Sequence, residues 1–272
     1  MKKPIYDPNW LESWKLSYHY DLLEFFGDTS NIGYTSAYQC RFDKTINAVK
    51  KYVPIGSKII DVAAAQGNFS LRLGELGYRV VWNDLRGELI DYVKLKYETG
   101  DVNYFPGNCF DLNSPETFDA AIITEVIEHV AHPDEFLRNI AYLIKPGGCI
   151  IMTTPNGEYI RNNLPKFSDC PDPSVFESIQ FKPDGDGHIF LLHRDEINAL
   201  VRLAGLEIKE LHLFTNPLTA GNLKTSYFLH LIPKFLIDRL EFLTSIKKGQ
   251  LFPRLNSHSL AVLWKPDASI NR

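Results

Sequence analysis

Glu125, Glu128 and His129 stand in an E-x-x-E-H run directly after an apolar segment, Phe118-Asp119-Ala120-Ala121-Ile122-Ile123-Thr124, and His188 follows later in a Gly-His turn. A helical turn beginning near Glu125 would put positions 125, 128 and 129 on one face, because residues three and four apart are neighbours on a helix. Two carboxylates and an imidazole would then share a small volume. Carboxylates that close repel unless a cation or a proton lies between them. Oxygen and nitrogen donors in this mixture suit Mg²⁺ or Mn²⁺, with Zn²⁺ or Fe²⁺ as further options. The pattern therefore points to metal-assisted chemistry. Its alternative is metal-free, with His129 as a base or a packed core side chain.

The elements that must position these residues follow from the spacing of apolar side chains. Residues 58–63, 78–83, 102–106, 118–124, 149–154, 207–213 and 258–264 read as seven strands, the last two forming a hairpin-like pair. Helical patterns occupy 69–76, 86–97, 134–144 and 195–204 between them. Lys145-Pro146-Gly147-Gly148 stops the third of these helices, and Gly205 ends the fourth. Alternation of this kind predicts an α/β fold: a doubly wound, seven-stranded, mostly parallel sheet with helices on both faces. Residues 1–50, rich in Tyr and Trp, read as an N-terminal helical cap over the ligand edge of the sheet, leaving 51–272 as the main domain. Residues 217–250 form an apolar helical insertion before the last strand. That insertion reads as a lid or a homodimer face, with a helix lying on a membrane surface as the sharper alternative.

The turn after the first strand reads Asp61-Val62-Ala63-Ala64-Ala65-Gln66-Gly67. Its small residues let the backbone approach a ligand at the carboxyl end of the strand. Asp84 closes the second strand, Asn108 and Cys109 follow the third, and Thr124 and Glu125 end the fourth. The order of these features resembles that of class I S-adenosylmethionine-dependent methyltransferases over residues 38–215. Their D-x-G-x-G-x-G turn is matched with two departures, Ala63 and Ala65 standing for glycine while Gly67 is kept. Lys145-Pro146-Gly147-Gly148 and Thr153-Thr154-Pro155-Asn156 match the PGG and TPN segments of the family. The resemblance implies the Rossmann-like methyltransferase fold and S-adenosyl-L-methionine as cofactor. It places Asp61, Ala63, Ala65 and Gly67 under that cofactor, with Asp84 and Leu85 at its ribose. Asn108 and Cys109 would lie at its adenine, with Thr124, Glu125 and Arg41 at its methionine end, where Arg41 would pair with the carboxylate. A nicotinamide-binding protein fits poorly, because G-x-G-x-x-G is absent.

Glu125-Val126-Ile127-Glu128-His129-Val130 resembles two branches of the family, the ubiquinone-biosynthesis O-methyltransferases and the small-RNA 3′-terminal 2′-O-methyltransferases. In the second branch the pattern runs on through TPN to a His in an H-x-F segment, which Gly187-His188-Ile189-Phe190 matches. That placement makes Glu125, Glu128, His129 and His188 the implied ligands of one divalent ion, with His129 and His188 as the catalytic pair.

Composition bounds the acceptor. A formal net charge of −4 gives no electrostatic reason to expect nucleic acid as the partner. The aromatic cap and the apolar 217–250 segment instead favour a small hydroxylated acceptor: a phenol, a sugar or a natural-product intermediate. RNA-end 2′-O-methylation stands as the alternative, and the lost glycines motivate a third reading, a non-catalytic cofactor-binding subunit. Transfer to nitrogen or carbon would use the same sulfonium chemistry. The four cysteines, Cys40, Cys109, Cys149 and Cys170, include no C-x-x-C pair, so a reducing cytoplasm is expected. No stretch approaches the roughly 18 apolar residues of a membrane span, and the first residues lack the apolar run of a signal peptide.

Overall fold

The computed structural model describes residues 1–28, 30–180, 187–216, 232–233, 236, 239 and 253–267. Seven apolar runs become strands: β1 (Lys58–Val62), β2 (Arg79–Asp84), β3 (Asp101–Pro106), β4 (Phe118–Thr124), β5 (Ile144–Pro155), β6 (Glu207–Phe214) and β7 (His258–Trp264). They form one sheet in the order β3-β2-β1-β4-β5-β7-β6. The first five pair in parallel, and β7 runs antiparallel to both β5 and β6. Ile59, Ile60, Ala120, Ala121, Ile122 and Ile123 are fully buried, as expected of central parallel strands covered on both faces.

Helices α1 (Glu12–Glu24) and α2 (Ile32–Tyr52) precede the sheet, and α3 (Asn68–Glu75), α4 (Leu89–Lys96), α5 (Pro133–Leu143) and α6 (Arg194–Leu203) fill the crossovers and flanks. Pro133 at the first helical position needs no amide partner, which suits it to open α5. Phe136, Leu137, Ile140 and Leu143 then form its buried stripe. The order of strands reverses between β1 and β4, and the crevice outside their carboxyl ends is where such sheets take ligands.

Two local expectations are corrected. Helix α5 ends at Leu143, directly before the Lys-Pro-Gly-Gly run, but the strand does not wait for Cys149: β5 already begins at Ile144, and the register jumps from Phe118↔Ile144 to Ala120↔Cys149. The Pro-Gly-Gly run is a bulge inside the strand. A side chain at Gly148 would meet the Asp119 carbonyl oxygen at 2.6 Å, so the bend needs a residue without Cβ. Nor does a helical turn open at Glu125. That residue sits at φ 55, and a short 3-10 turn spans only Ile127–His129. The predicted insertion at 217–250 lies outside the described residues apart from isolated positions.

Helix α1 is pinned to α4 through a buried charge pair. Asp21 of α1 and Lys96 of α4, both with fully buried side chains, meet at 2.7 Å. Asp21 also accepts from Tyr92 Oη at 2.6 Å and from Asn68 Nδ2 at 2.9 Å, while Lys96 Nζ donates to Asn68 Oδ1 at 2.6 Å. A buried charge pair persists only when its remaining hydrogen-bonding capacity is filled in this way. Burial still pushes the Lys96 ammonium below its ordinary pKa, with Asp21 acting against that.

Candidate active site

The turn between β1 and α3 has the backbone of a glycine-rich loop without most of its glycines. Ala63, Ala65 and Gly67 lie at φ 55, 47 and 76. Alanine in the left-handed region costs roughly 1–2 kcal/mol, so the surroundings hold this path against local preference. The Asp84 carboxylate helps to do so, with Oδ2 accepting from Ala65 N at 2.8 Å. Cap residue Glu24 accepts from Gln66 Nε2 at 2.9 Å and Asn68 Nδ2 at 3.0 Å, so α1 grips the same turn. Gly67 is required sterically, because a Cβ there would lie 2.8 Å from Val93 Cγ1.

A cavity of about 650 Å³ opens above this turn. Of the residues expected at a cofactor, Ala63, Ala65, Asp84, Leu85, Asn108, Cys109, Thr124 and Glu125 line it. The lining residues do not include Asp61, Gly67 or Arg41. Asp61 is buried beneath the turn, where its Oδ2 accepts from Ser70 Oγ at 2.5 Å and braces the start of α3. Burial raises its pKa to about 7, although Ser70 acts in the other direction. Asn108 lends its Oδ1 to Phe110 N at 3.1 Å, which aims the loop after β3 at the cavity. Burial pushes the Cys109 thiol up to about 12, so it is no nucleophile.

Glu128, His129 and His188 come together. Each offers one ligand atom, and these atoms lie within 4.8 Å of one another. The two imidazoles are 4.7 Å apart between ring centroids. Glu128 is wholly buried; its Oε2 accepts from Thr154 Oγ1 at 2.9 Å, and its Oε1 has no hydrogen-bond partner among the described residues. Burial, reinforced by the charge of Glu125, holds its carboxyl well above the usual range. A buried carboxyl group with one of its oxygens within 4.8 Å of two imidazole nitrogens is an arrangement a divalent cation would satisfy. His188 reaches the group because Ile189 N donates to the Glu128 carbonyl at 2.7 Å and Gly157 N to the Leu192 carbonyl at 3.0 Å.

Glu125 does not join that trio. Its Oε2 lies 3.5 Å from Arg41 Nη1 and 3.6 Å from His258 Nε2. Burial opposes its ionisation, but Arg41 and His258 outweigh burial and hold it below its ordinary pKa. Arg41, expected at a cofactor carboxylate, is thus committed to Glu125 and to the ring of Tyr38, 5.0 Å away. The sequence reading missed His258. It begins β7, and antiparallel pairing sets it beside Pro155 at the carboxyl end of β5. The hairpin-like pairing of the last two strands was legible, but not that β7 lies between β5 and β6, which is what brings His258 to the site. The reading also missed Arg86, whose guanidinium grips Asp84, and Thr154, which holds Glu128. His132 pairs with Glu177 at 2.8 Å on the cavity rim, and His193 caps α6, its amide donating to Glu196 Oε2 at 2.9 Å.

Comparison with known proteins adds to this geometry. A family model for a methyltransferase domain matches residues 34–211. The ubiquinone biosynthesis O-methyltransferase of Xanthomonas axonopodis pv. citri (strain 306) is 33% identical over 129 residues, which cover 42% of this chain and 54% of that protein. The chain thus matches about half the length of that relative. The protein of the same name from Stutzerimonas stutzeri (strain A1501) is 29% identical over 182 residues, 64% of this chain and 75% of the relative. Among solved structures, an S-adenosylmethionine-dependent methyltransferase from Archaeoglobus fulgidus superposes with a TM-score of 0.55 at 12% identity, covering 90% of this chain and 98% of that one. At that identity the likeness concerns the fold alone.

Proposed function

Since the chain belongs to the methyltransferase-domain family of class I S-adenosylmethionine-dependent enzymes, we propose that it methylates a hydroxyl of a small molecule at the Glu128–His129–His188 cluster. The observation that carries this reading is continuity. His129 belongs both to the three-residue cluster and to the lining of the 650 Å³ cavity, which also includes Ala63, Ala65 and Asp84. A donor of methyl groups and an acceptor of oxygen ligands would meet there.

S-adenosylmethionine supplies a methyl group already activated by its sulfonium charge, so the protein has mainly to bind, orient and exclude water. Ala63, Ala65 and Gly67 present a turn without bulk, and Asp84 offers carboxylate oxygens to a ribose diol. A divalent ion held by Glu128, His129 and His188 would lower the pKa of an acceptor hydroxyl and fix its orientation. Glu128 is kept in place by Thr154, and the segment bearing His188 by its amide bond to the Glu128 carbonyl. Val126, Val130 and Phe136 make the wall between the two ends apolar.

An acceptor with two adjacent oxygens suits such a site, and catechol-like rings are the first class to try, given the ubiquinone-biosynthesis relatives. A terminal ribose diol carries the same pair of oxygens, but the net charge of −4 favours a small acceptor. The deciding experiment is methyl transfer from labelled S-adenosylmethionine to a panel of catechols, sugars, amines and a short RNA, with and without Mn²⁺. Metal-dependent labelling of a catechol or sugar oxygen is expected. Labelling of RNA alone, or of amines alone, would overturn the reading.

A further inference from the structure

Asp84 has no spare acceptor capacity in this structure. Its Oδ2 takes Ala65 N at 2.8 Å and Arg86 Nη2 at 3.1 Å; its Oδ1 takes Arg86 N at 2.9 Å and Arg86 Nε at 3.0 Å. A carboxylate offers about four lone-pair sites, and here all four are used. Two of those donors are backbone amides fixed by the turns around them. The other two belong to one side chain, a bidentate guanidinium at a position where the carboxylate is 4% exposed and the arginine 40%. Both residues line the same cavity. A ribose diol reaching Asp84 must therefore take the place of the Arg86 fork, the exchangeable half of the coordination.

We infer that Arg86 is a clamp that competes with the cofactor for Asp84 and sets cofactor affinity. The inference rests on the reading above that Asp84 receives the ribose of an adenosyl ligand. The guanidinium satisfies the nearly buried carboxylate, where an unpartnered charge would be costly. Arriving hydroxyls replace two charge-assisted bonds with two of their own, so part of their contact energy is offset by the bonds they break. Arg86 swings into solvent, which its exposure permits. Removing the fork removes the competitor and leaves the two amide bonds that hold Asp84 in position.

The test uses S-adenosylhomocysteine and its 2′-deoxy analogue as calorimetric probes of the whole chain, its Arg86→Ala and Arg86→Lys variants, and Asp84→Asn. Arg86→Ala should bind S-adenosylhomocysteine about three- to tenfold more tightly. The gain should be smaller for the 2′-deoxy analogue, which makes less use of Asp84. Lysine, without the planar fork, should fall between wild type and alanine. Asp84→Asn should bind more weakly than wild type. If Asp84→Asn leaves affinity unchanged, the ribose reading fails and the clamp with it. If Asp84→Asn weakens binding while Arg86→Ala also weakens it or leaves it unaltered, the ribose reading stands and the clamp alone is overturned. Melting curves of the variants confirm that each is folded when measured.

Discussion

Asp84 and Ala65 show how much a single side chain carries at this site. Asp84→Ala removes the proposed acceptor of ribose hydroxyls and also the brace of Ala65 N, so we predict at least a tenfold loss of S-adenosylhomocysteine affinity by calorimetry, in line with charge-assisted bonds of about 1.5–3 kcal/mol. Unchanged affinity would remove Asp84 from the cofactor. At Ala65 two effects oppose: glycine relieves the left-handed strain but loses about 0.5–1 kcal/mol to backbone entropy. Ala65→Gly should thus leave stability within about 1 kcal/mol by denaturant titration, whereas Ala65→Val, β-branched at φ 47, should lose more than that. Equal stability of the two variants would contradict the strained backbone. The E-x-x-E-H run and the H-x-F segment were legible because residue type and order were enough. The partners of Glu125 were not, since Arg41 comes from the cap and His258 from an antiparallel strand far along the chain. Helical spacing and the family resemblance both put Glu125 with Glu128, whereas Glu125 has a left-handed backbone and its carboxylate pairs with Arg41 and His258.

Two contacts between elements decide whether the site is assembled. The turn after β5 and the segment bearing His188 touch so closely at Gly157 that a Cβ would lie 2.0 Å from the Leu191 carbonyl oxygen. Gly157→Ala must push that segment away, and we predict at least a tenfold loss of Mn²⁺ affinity with S-adenosylhomocysteine binding retained. Parallel loss of both would mean general unfolding instead. The other contact joins α1 to α4 through Asp21 and Lys96. Lys96→Met leaves a buried carboxylate without its cation, and a cost of about 3–5 kcal/mol is expected in a denaturation experiment. The strands were legible almost to the residue, because β4 and β7 are continuous apolar runs bounded by polar turns. The start of β5 was not, because Pro-Gly-Gly reads as a stop and only pairing with Phe118 makes it a bulge. The Asp21–Lys96 link was equally invisible, since charged residues are presumed solvated until the fold encloses them.

Across the whole molecule, buried acids tie stability to pH. Burial raises Asp61 and Glu24 to about 7, with hydrogen bonds from Ser70 and Tyr34 acting against it. In the unfolded chain both titrate near 4. Between those values the native state binds more protons than the unfolded one, so stability falls as pH rises. The contribution is complete below about pH 4 and is lost as pH passes 7, at most about 1.4 kcal/mol per unit for each group. Unfolding free energy should decline from pH 5 to 7.5, and Asp61→Asn should flatten the decline; a rise over that interval would contradict the assignment. The mostly parallel, doubly wound sheet was legible as a class because alternation of strand and helix implies it, whereas the strand order was not read. The cavity was not, as its volume arises from how the β1–α3 turn, the loops after β2, β3 and β4 and the start of α5 close on one another. Metal-assisted transfer depends on the Glu128–His129–His188 cluster, and its most direct test is Mn²⁺ titration of chelator-stripped protein by EPR with S-adenosylhomocysteine present. Saturable binding of about one ion per chain is expected, abolished by His188→Ala while S-adenosylhomocysteine remains bound. Absence of saturable binding, or binding that survives His188→Ala, would contradict metal assistance at this cluster.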